Sequence, residues 1–461
     1  MSLYRSRRPS SAPRVVMLAL IGLLLGLGVA AIFFGLPRVV AVSPEGSASS
    51  RNPITITFSQ PMDQASVESR LTIEPEVSGR VEWSANNSLL FTPQGEWTSG
   101  TVRVTLASGA RSERGLPSLF AHSWAFTISA PGVAFLLKTN EAANVWVTSL
   151  DGNQTQVTTE PLGVEDFAVS PDGTQIAYAA LRADGGADLK RVDRDGSNIA
   201  DLLLCPNLRC SAPVFSPDGR RLAFEQWPLD SETATLTKVM VLDLATGEAV
   251  NPAKVSLHLT QSPRFAPDGR LSYLDKTEQA IAVYTFGSFT SYIPNSSGEV
   301  GAWTPDSQTI IFPEIFFLPE PTPGGAEESL EQFYSHLIRV TVSSNATQNL
   351  SGDELVEDAS PSVSPSGAWV AFARKQLSED KWTPGRQLWL MRPDGSEAQQ
   401  LTDAPEFNHS AFAWSPDSRQ IVYMRFDVTD PGSPAELWIV DADGSEARLL
   451  AQGGYLPEWL P

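Results

Sequence analysis

The sequence predicts an all-β protein whose larger part is a β-propeller. A short phrase recurs at intervals of about forty to fifty residues: an apolar or aromatic residue, then Ser-Pro-Asp-Gly or a close variant, then an alternating apolar strand. A second turn, of the Asp-Gly-Ser type, follows several copies, which gives two hairpins and four antiparallel strands per unit. The copies lie at Asp166–Ala180, Ala212–Gln226, Ser262–Asp275, Gly301–Glu314, Pro361–Arg374 and Ala411–Arg425. Such units favour a propeller, in which neighbouring blades cover each other's faces.

The recurring tetrapeptide has the chemistry of a tight hairpin turn. In Ser170–Gly173, Pro presets φ at the first corner, Asp suits the next position and Gly accepts a positive φ. Ile176 and Tyr178 then alternate with smaller residues, as in a strand with one buried face. Ser307 and Ser418 replace the glycine in two copies, and there we expect a positive φ at a cost on the order of 1 kcal/mol.

These repeats resemble those of the TolB-like propeller family, which carry the same Ser-Pro-Asp-Gly turn. The resemblance covers residues 132–461. The resemblance implies the propeller fold. Some family members are periplasmic scaffolds that bind protein partners, and this is the only functional class that the resemblance suggests. The matching residues are turn and core positions, so no functional residue is transferred from the motif.

The strand sets predict seven blades. Six sets follow the motif and begin near Gln175, Arg221, Leu271, Thr309, Trp369 and Gln420. A seventh set at Val133–Thr158 has no motif before it, and the chain ends in an unpaired PEWLP sequence. We therefore expect Glu458–Leu460 to be the innermost strand of the first blade, which would close the ring. The family resemblance alone would give six blades.

Residues 38–130 predict a second, smaller β-domain. Short alternating strands with a turn signal roughly every ten residues indicate a β-sandwich. The phrase ITFSQPMD at Ile56–Asp63 and the closing WAFT at Trp124–Thr127 resemble the bacterial Ig-like domain of surface-layer and adhesin-type proteins. That resemblance implies a spacer or cohesive module, here placed before the propeller.

The N-terminus predicts a membrane anchor. Val15–Leu36 is a run of 22 apolar and glycine residues, long enough to span a bilayer. Four arginines precede it and no acidic residue does: Arg5, Arg7, Arg8 and Arg14. The positive-inside rule then places residues 1–14 in the cytoplasm and the rest of the chain outside, in the periplasm or at the cell surface. A signal peptide cleaved at Val39–Ala41 is the alternative.

Charge and cysteine content limit the partners. The formal charge is −20, and because five arginines lie in the first 38 residues, the remainder carries 28 basic against 53 acidic residues, a net −25. Such a chain repels nucleic acid. Cys205 and Cys210 lie in the connection between two blades, and outside the cytoplasm they are expected to form a local disulfide. Free thiols and a metal site are the alternatives, and no cofactor is predicted.

The sequence contains no recognisable catalytic pattern. The repeated aspartates of the turn phrase are explained by the turn itself, and the DGS sequences, such as Asp193–Asn198, lack the further ligands of a calcium loop. The four histidines are scattered, and no G-x-S-x-G sequence is present. We therefore predict that the protein is not an enzyme.

One segment departs from the repeat and predicts a partner-binding loop. Pro313–Ser335 is a proline-rich, acidic insertion between two strands of one blade. Long loops on a rigid scaffold are often binding elements, although a disordered or self-packed excursion is the alternative. A smaller insertion, Gln376–Arg386, occupies the same position in the next blade. The candidate contact residues are Phe316, Phe317, Leu318, Phe333 and Trp382.

Together these features predict a membrane-anchored extracytoplasmic binding or scaffold protein. It would recruit a protein or peptide of the cell envelope through propeller loops. One alternative is a propeller hydrolase acting on glycans or peptides, with an active site assembled from several blades. The other is a structural protein of the cell envelope.

Overall fold

The computed structural model describes residues 35–48, 52–84, 86–95, 97, 100–128, 130–229, 237–253, 258–287, 290–317 and 333–461. The chain divides into two compact units, Met1–Ser129 and Ala130–Pro461. Among the described residues, no helix has the length and apolar character needed to cross a bilayer. The predicted anchor, residues 15–36, lies outside the described part of the chain except for Gly35 and Leu36.

The N-terminal unit is a sandwich of two four-stranded sheets. The first sheet has the order β1-β3-β6-β5, with β1 (Val39–Ser43), β3 (Ile54–Phe58), β5 (Gly79–Ser84) and β6 (Ser88–Pro93). The second has the order β2-β8-β7-β4, with β2 (Gly46–Ala48), β4 (Leu71–Glu74), β7 (Gly100–Leu106) and β8 (His122–Ile128). A short helix, α1 (Gln64–Glu68), follows β3, and Asp63 caps it by accepting a hydrogen bond from the Ser66 amide at 2.8 Å.

The sandwich core is built by the alternation of the strands. Ile54, Ile56 and Phe58 are buried while the threonines between them are half-buried. Val102 and Val104 of β7 belong to the same buried cluster, so the two sheets share one core.

The C-terminal unit contains, in the part of the chain that the structure describes, seven sets of four antiparallel strands. The first strands of the sets are β12 (Val164–Val169), β16 (Leu208–Phe215), β20 (Thr260–Phe265), β24 (Ala302–Trp303), β28 (Val356–Val363), β32 (Phe407–Trp414) and β36 (Gly454–Leu460). The second strands are β9 (Gly132–Thr139), β13 (Gln175–Leu181), β17 (Arg221–Pro228), β21 (Leu271–Asp275), β25 (Thr309–Phe317), β29 (Val370–Gln376) and β33 (Gln420–Asp427).

Two further strands complete each set. The third strands are β10 (Ala142–Ser149), β14 (Ala187–Asp193), β18 (Lys238–Asp243), β22 (Ala280–Tyr284), β26 (Phe333–Thr341), β30 (Gln387–Met391) and β34 (Glu436–Asp441). The fourth are β11 (Gln154–Gln156), β15 (Ala200–Leu203), β19 (Ala249–Val250), β23 (Thr290–Pro294), β27 (Ala346–Asn349), β31 (Gln399–Gln400) and β35 (Arg448–Gln452). We number the sets as blades 1 to 7, with blade 1 containing β9, β10, β11 and β36.

The ring closes as the sequence predicts. The C-terminal strand β36 pairs antiparallel with β9, with Leu460 opposite Gly132 and Glu458 opposite Ala134. Blade 1 therefore takes three strands from the beginning of the unit and one from its end. On its other face, Phe135 and Trp459 share a buried cluster with Val422 and Leu437 of blade 7. Hydrogen bonding and packing together join the first and last blades.

Candidate functional site

The aspartates of the repeated phrase are committed to their turns. The Ser170 hydroxyl donates a hydrogen bond to Asp172 Oδ1 at 2.6 Å, and Gly173 has a φ of 65°. The same hydroxyl–carboxylate contact recurs at 2.6 Å in three other blades, from Ser216, Thr304 and Ser415. It holds the pKa of Asp218 and that of Asp306 below the ordinary value. These side chains are spread around the ring, so they do not form one catalytic cluster.

Strand direction sorts the loops onto two faces. Because the strands alternate in direction, the Ser-Pro-Asp-Gly turns and the turns between third and fourth strands lie at one end of every blade. The connections between second and third strands, and those between blades, lie at the other end, which we call the loop face. The larger departures from the repeat, residues 318–332 and 377–386, are both second-to-third connections.

A central cavity of about 740 Å³ is lined by the first strands of all seven blades. Much of its wall consists of apolar side chains, prolines and small residues. Four charged side chains reach it: Asp166, Glu225, Arg264 and Glu458.

Carboxylates beside the cavity connect neighbouring blades. The first strands are bulged, and Ser262 and Ser360 in the bulges have φ values of 55° and 52°. The Ser262 amide donates to Glu225 Oε1 at 2.7 Å, and the Ser360 amide donates to Glu299 Oε2 at 3.0 Å. Glu458 Oε2 accepts from the Val169 amide at 3.0 Å. Glu225 and Glu458 belong to the blade that precedes the donor, whereas Glu299 lies in the connection between blades 4 and 5 and reaches blade 6. All three side chains accept a backbone hydrogen bond from a different part of the ring, which gives them a structural role.

Burial shifts the pKa values of two carboxyl groups that line the cavity, Glu458 and Asp166. Burial is the main cause that raises the pKa of Glu458 to about 8; the Asp166 charge acts in the same direction, while the hydrogen bond from the Val169 amide and the Arg264 charge act against it. Burial also raises the pKa of Asp166 to about 6, against the hydrogen bond from the Phe167 amide. At neutral pH, Glu458 is therefore mainly protonated and Asp166 is mainly ionised.

The raised pKa of Glu458 predicts a pH-dependent stability. The pKa of Glu458 is about 8 in the folded state, compared with the ordinary value of 4.5. The contribution of the protonated Glu458 side chain to folding stability is therefore full below pH 4.5 and is lost as the pH rises through 8. Glu458→Gln should therefore gain stability relative to the native chain between pH 5 and pH 8, by about 3–4 kcal/mol. Urea unfolding at several pH values measures the difference.

An exposed carboxylate provides the control for this prediction. Glu248 lies at the surface of blade 3, so Glu248→Gln should leave the pH dependence as it is in the native chain. The comparison of variants cancels the opposite contribution of buried His409, whose pKa is lowered to about 4 by desolvation. A Glu458→Gln profile parallel to the native one would contradict the predicted role of Glu458.

The structure brings three of the predicted contact residues together on one hairpin. Strand β25 continues to Phe317 and β26 begins at Phe333, so the predicted insertion Pro313–Ser335 is too long at both ends. Phe317 and Phe333 are directly opposite and exposed, Phe317 to 66%. Phe316, also a candidate contact residue, is half-buried because its ring stacks on Tyr334, with 5.3 Å between the ring centres. Leu318 lies outside the described residues.

Trp382 lies on the same face in the next blade. It belongs to the connection between β29 and β30 and is 56% exposed. The Lys375 ammonium lies 5.3 Å from the centre of its ring, within the range of a cation–π contact. The two departures from the repeat that the sequence singles out therefore occupy equivalent positions in blades 5 and 6.

Two further aromatic residues on this face were not predicted. Trp227 is the penultimate residue of β17, and Phe426 is the penultimate residue of β33. Both are exposed, and both stand where the second strand of a blade reaches the loop face. The sequence signal is an aromatic residue just beyond the buried part of the strand. We refer to Trp227, Phe317, Phe333, Trp382 and Phe426 as the loop-face aromatics.

Cys205, in the connection between blades 2 and 3, forms the expected disulfide with Cys210, which the structure places on β16 and not in the connection. The Arg182 guanidinium donates to the carbonyl oxygens of Cys205 and Leu208, at 3.0 and 3.1 Å, and holds the loop against blade 2. Within the described residues, no group of three His, Cys, Asp or Glu side chains could hold a metal ion.

The chain is similar in sequence to one protein family and to at least two known proteins. Residues 36–128 match the family model of the bacterial Ig-like domain. The chain is 26% identical over 269 residues to an uncharacterised protein of Agrobacterium fabrum, covering 54% of this chain and 80% of that protein. Over 128 residues it is 29% identical to dipeptidyl-peptidase 5 of Porphyromonas gingivalis, covering 26% of this chain and only 18% of the peptidase.

Solved structures show the propeller fold. A puromycin hydrolase complexed with PGG is similar with a TM-score of 0.51 at 15% identity, over 70% of this chain and 52% of that one. A putative TolB from Agrobacterium tumefaciens is similar with a TM-score of 0.40 at 20% identity, over 55% of this chain and 84% of that one. The predicted bacterial Ig-like domain is confirmed, and so is the predicted propeller fold, which the chain shares with TolB-like and other propeller proteins. At these identities the likeness to solved structures concerns the fold alone.

Proposed function

We propose that this protein is a membrane-anchored extracytoplasmic binding protein that recruits a protein or peptide partner on the loop face of its propeller. The observation that carries the proposal is the set of five exposed aromatic side chains contributed by blades 3, 5, 6 and 7 to one face. Aromatic residues are enriched in the energetically dominant parts of protein interfaces. A rigid ring that presents them from several blades suits recognition of one extended surface.

The charged groups of the central cavity support binding rather than catalysis. Glu225 and Glu458 accept backbone hydrogen bonds from the following blade, and Glu299, in the connection between blades 4 and 5, accepts one from Ser360 of blade 6. The turn aspartates are likewise held by neighbouring hydroxyls. Backbone and turn hydrogen bonds within the ring account for these carboxylates. We therefore propose that the protein has no catalytic centre in the propeller and uses no cofactor.

The anchor in this proposal is the apolar run Val15–Leu36. Strand β1 begins at Val39 and pairs with β3 in the sandwich, so cleavage at Ala41 would divide a strand of the folded domain. This supports a retained anchor over a removed signal peptide. The sandwich and propeller would then lie in the periplasm or at the cell surface, with partners in the cell envelope and no nucleic acid.

A double variant tests the loop face. The full chain would be extracted from membranes of its source and compared with Phe317→Ala/Trp382→Ala, and co-purifying proteins would be quantified by mass spectrometry. We expect the native chain to retain a reproducible partner. The variant should retain at least about tenfold less of that partner, because loss of one interface hot spot costs about 2 kcal/mol or more of binding free energy.

An exposed aromatic away from the loop face provides the matched control. Tyr292 lies on β23, the fourth strand of blade 4, and is exposed. Tyr292→Ala should retain the partner at the native level. Equal retention by all three chains would contradict a loop-face site, and equal loss in both variants would point to a general effect on folding.

A further inference from the structure

The N-terminal unit carries an exposed apolar tip in the loop between β7 and β8. Leu116, Leu119 and Phe120 are all exposed, Phe120 to 70%. Exposed large apolar residues normally occur singly on a soluble surface, whereas here three occur within five residues. We call these three residues the apolar tip.

The exposure of the apolar tip is built into an ordered loop. The Ser112 amide donates to the Leu116 carbonyl at 2.9 Å, and the Gly109 amide donates to the Ser118 carbonyl at 2.8 Å. The Ser118 amide in turn donates to the Ala110 carbonyl at 2.8 Å. These bonds close the loop as a hairpin-like excursion, so the backbone fixes the apolar side chains at the surface.

The apolar tip lies where the chain enters the domain. Leu119 and Phe120 line a pocket of about 210 Å³ together with Leu36 and Pro37. The entering segment is held at this end of the sandwich, because the Gln60 side-chain amide donates to the Gly35 carbonyl at 3.2 Å. The Ser59 amide also donates to the Arg38 carbonyl at 2.9 Å.

The position of Leu36 brings the membrane to this pocket. In the proposed function, on which this inference rests, the run Val15–Leu36 spans the bilayer, so Leu36 stands at the lipid interface. One residue extends the chain by at most about 3.5 Å, which leaves no linker long enough to lift the pocket away from the headgroups. A domain joined so directly to its anchor must face the bilayer with this end.

The charges of the same loop favour a lipid surface. Arg111 and Arg114 are exposed beside the apolar tip with one exposed carboxylate, Glu113, between them, so this loop carries a net positive charge although the chain beyond residue 38 is strongly acidic. Arginine next to aromatic and aliphatic side chains is the pattern of interfacial segments that bind anionic headgroups. We infer that the apolar tip inserts into the headgroup region of the anchoring bilayer and orients the Ig-like domain on the membrane surface.

Site-specific labelling tests this contact. The native cysteines are joined in a disulfide, so Leu119→Cys can be labelled selectively with an environment-sensitive fluorophore under non-reducing conditions. Full-length labelled chain would be reconstituted in vesicles of phosphatidylcholine and phosphatidylglycerol, with and without acyl-chain bromination. Gln94→Cys is the matched control, because Gln94 is exposed in the loop after β6 at the opposite end of the sandwich. We expect a blue shift and a several-fold stronger bromolipid quenching at position 119 than at position 94.

Flotation of the same vesicles separates the two proposals. If the chain floats with the vesicles and position 119 is quenched no more than position 94, the apolar tip does not contact lipid and the inference is overturned while the anchor stands. A blue shift without bromolipid quenching would assign the pocket to protein, a second copy or the chain's own N-terminal segment, and would also overturn it. If the chain does not float, the anchor itself is refuted, and the inference with it.

Discussion

A chain that ends at Gly453 is expected to lose the cooperative unfolding transition of its propeller. The removed residues form β36, the innermost strand of blade 1 and its only C-terminal contribution. Trp459 and Leu460 are buried, and the Trp459 indole donates to the Ala413 carbonyl of blade 7 at 2.8 Å. Each large side chain lost from a core costs about 2–5 kcal/mol, and the unpaired edge of β9 adds to that. Such a loss approaches the total stability of a typical domain, about 5–15 kcal/mol.

Two milder variants make this prediction quantitative. Leu460→Ala should lower the free energy of unfolding by about 2–5 kcal/mol, because Leu460 is fully buried among blade 1 and blade 2 residues. Deletion of Pro461 alone leaves β36 complete and should cost far less. Urea unfolding followed by tryptophan fluorescence and circular dichroism measures all three. A truncated chain with a native urea midpoint would show that ring closure does not stabilise the propeller.

The sequence predicts this closure because its information is local and repeated. Each Ser-Pro-Asp-Gly turn fixes a hairpin through Pro, Gly and a short hydroxyl–carboxylate bond, so the blades are counted from the turns. The final PEWLP has a strand-like pattern but no following partner, and the strand set at Val133–Thr158 lacks a first strand. Only one pairing satisfies both, and the structure has it. Positive φ at Ser307 and Ser418 follows from the same turn geometry.

The candidate site is less accessible to sequence reasoning because it depends on long-range contacts. Nothing local to Glu225 indicates that its carboxylate meets a bulge amide at Ser262 in the next blade. The bulges themselves place a positive φ on ordinary residues such as Ala411, where no glycine marks them. The end of β25 is hidden for a different reason: Ile315–Phe317 is a continuous apolar run, so the period-two pattern does not show where the strand stops.

Loss of the buried ion pair in blade 6 is the second large expected effect. Asp358 and Arg374 are 0% and 3% exposed and lie opposite each other on β28 and β29. The Arg374 Nε and Nη2 atoms donate to the two carboxylate oxygens, each at 2.7 Å, and the Ser351 hydroxyl donates to Oδ2 at 2.5 Å. Asp358→Asn keeps the shape but leaves the arginine without its buried counter-charge. We expect a loss of about 3–5 kcal/mol in the free energy of unfolding, measured by urea titration.

An exposed pair in the same blade separates burial from charge. The Arg392 Nε atom lies 3.0 Å from Glu397 Oε2 at the surface, so Glu397→Gln should cost less than about 1 kcal/mol. Replacing both buried partners, as Asp358→Leu/Arg374→Met, should recover much of the loss, since apolar side chains then fill the space without an unpaired charge. If Asp358→Asn and Glu397→Gln lowered stability equally, desolvation would not be the cause. If the double apolar variant were less stable than Asp358→Asn, the ion pair itself would contribute net stability. The bidentate contact and the Ser351 hydrogen bond would then outweigh the cost of burying both ions.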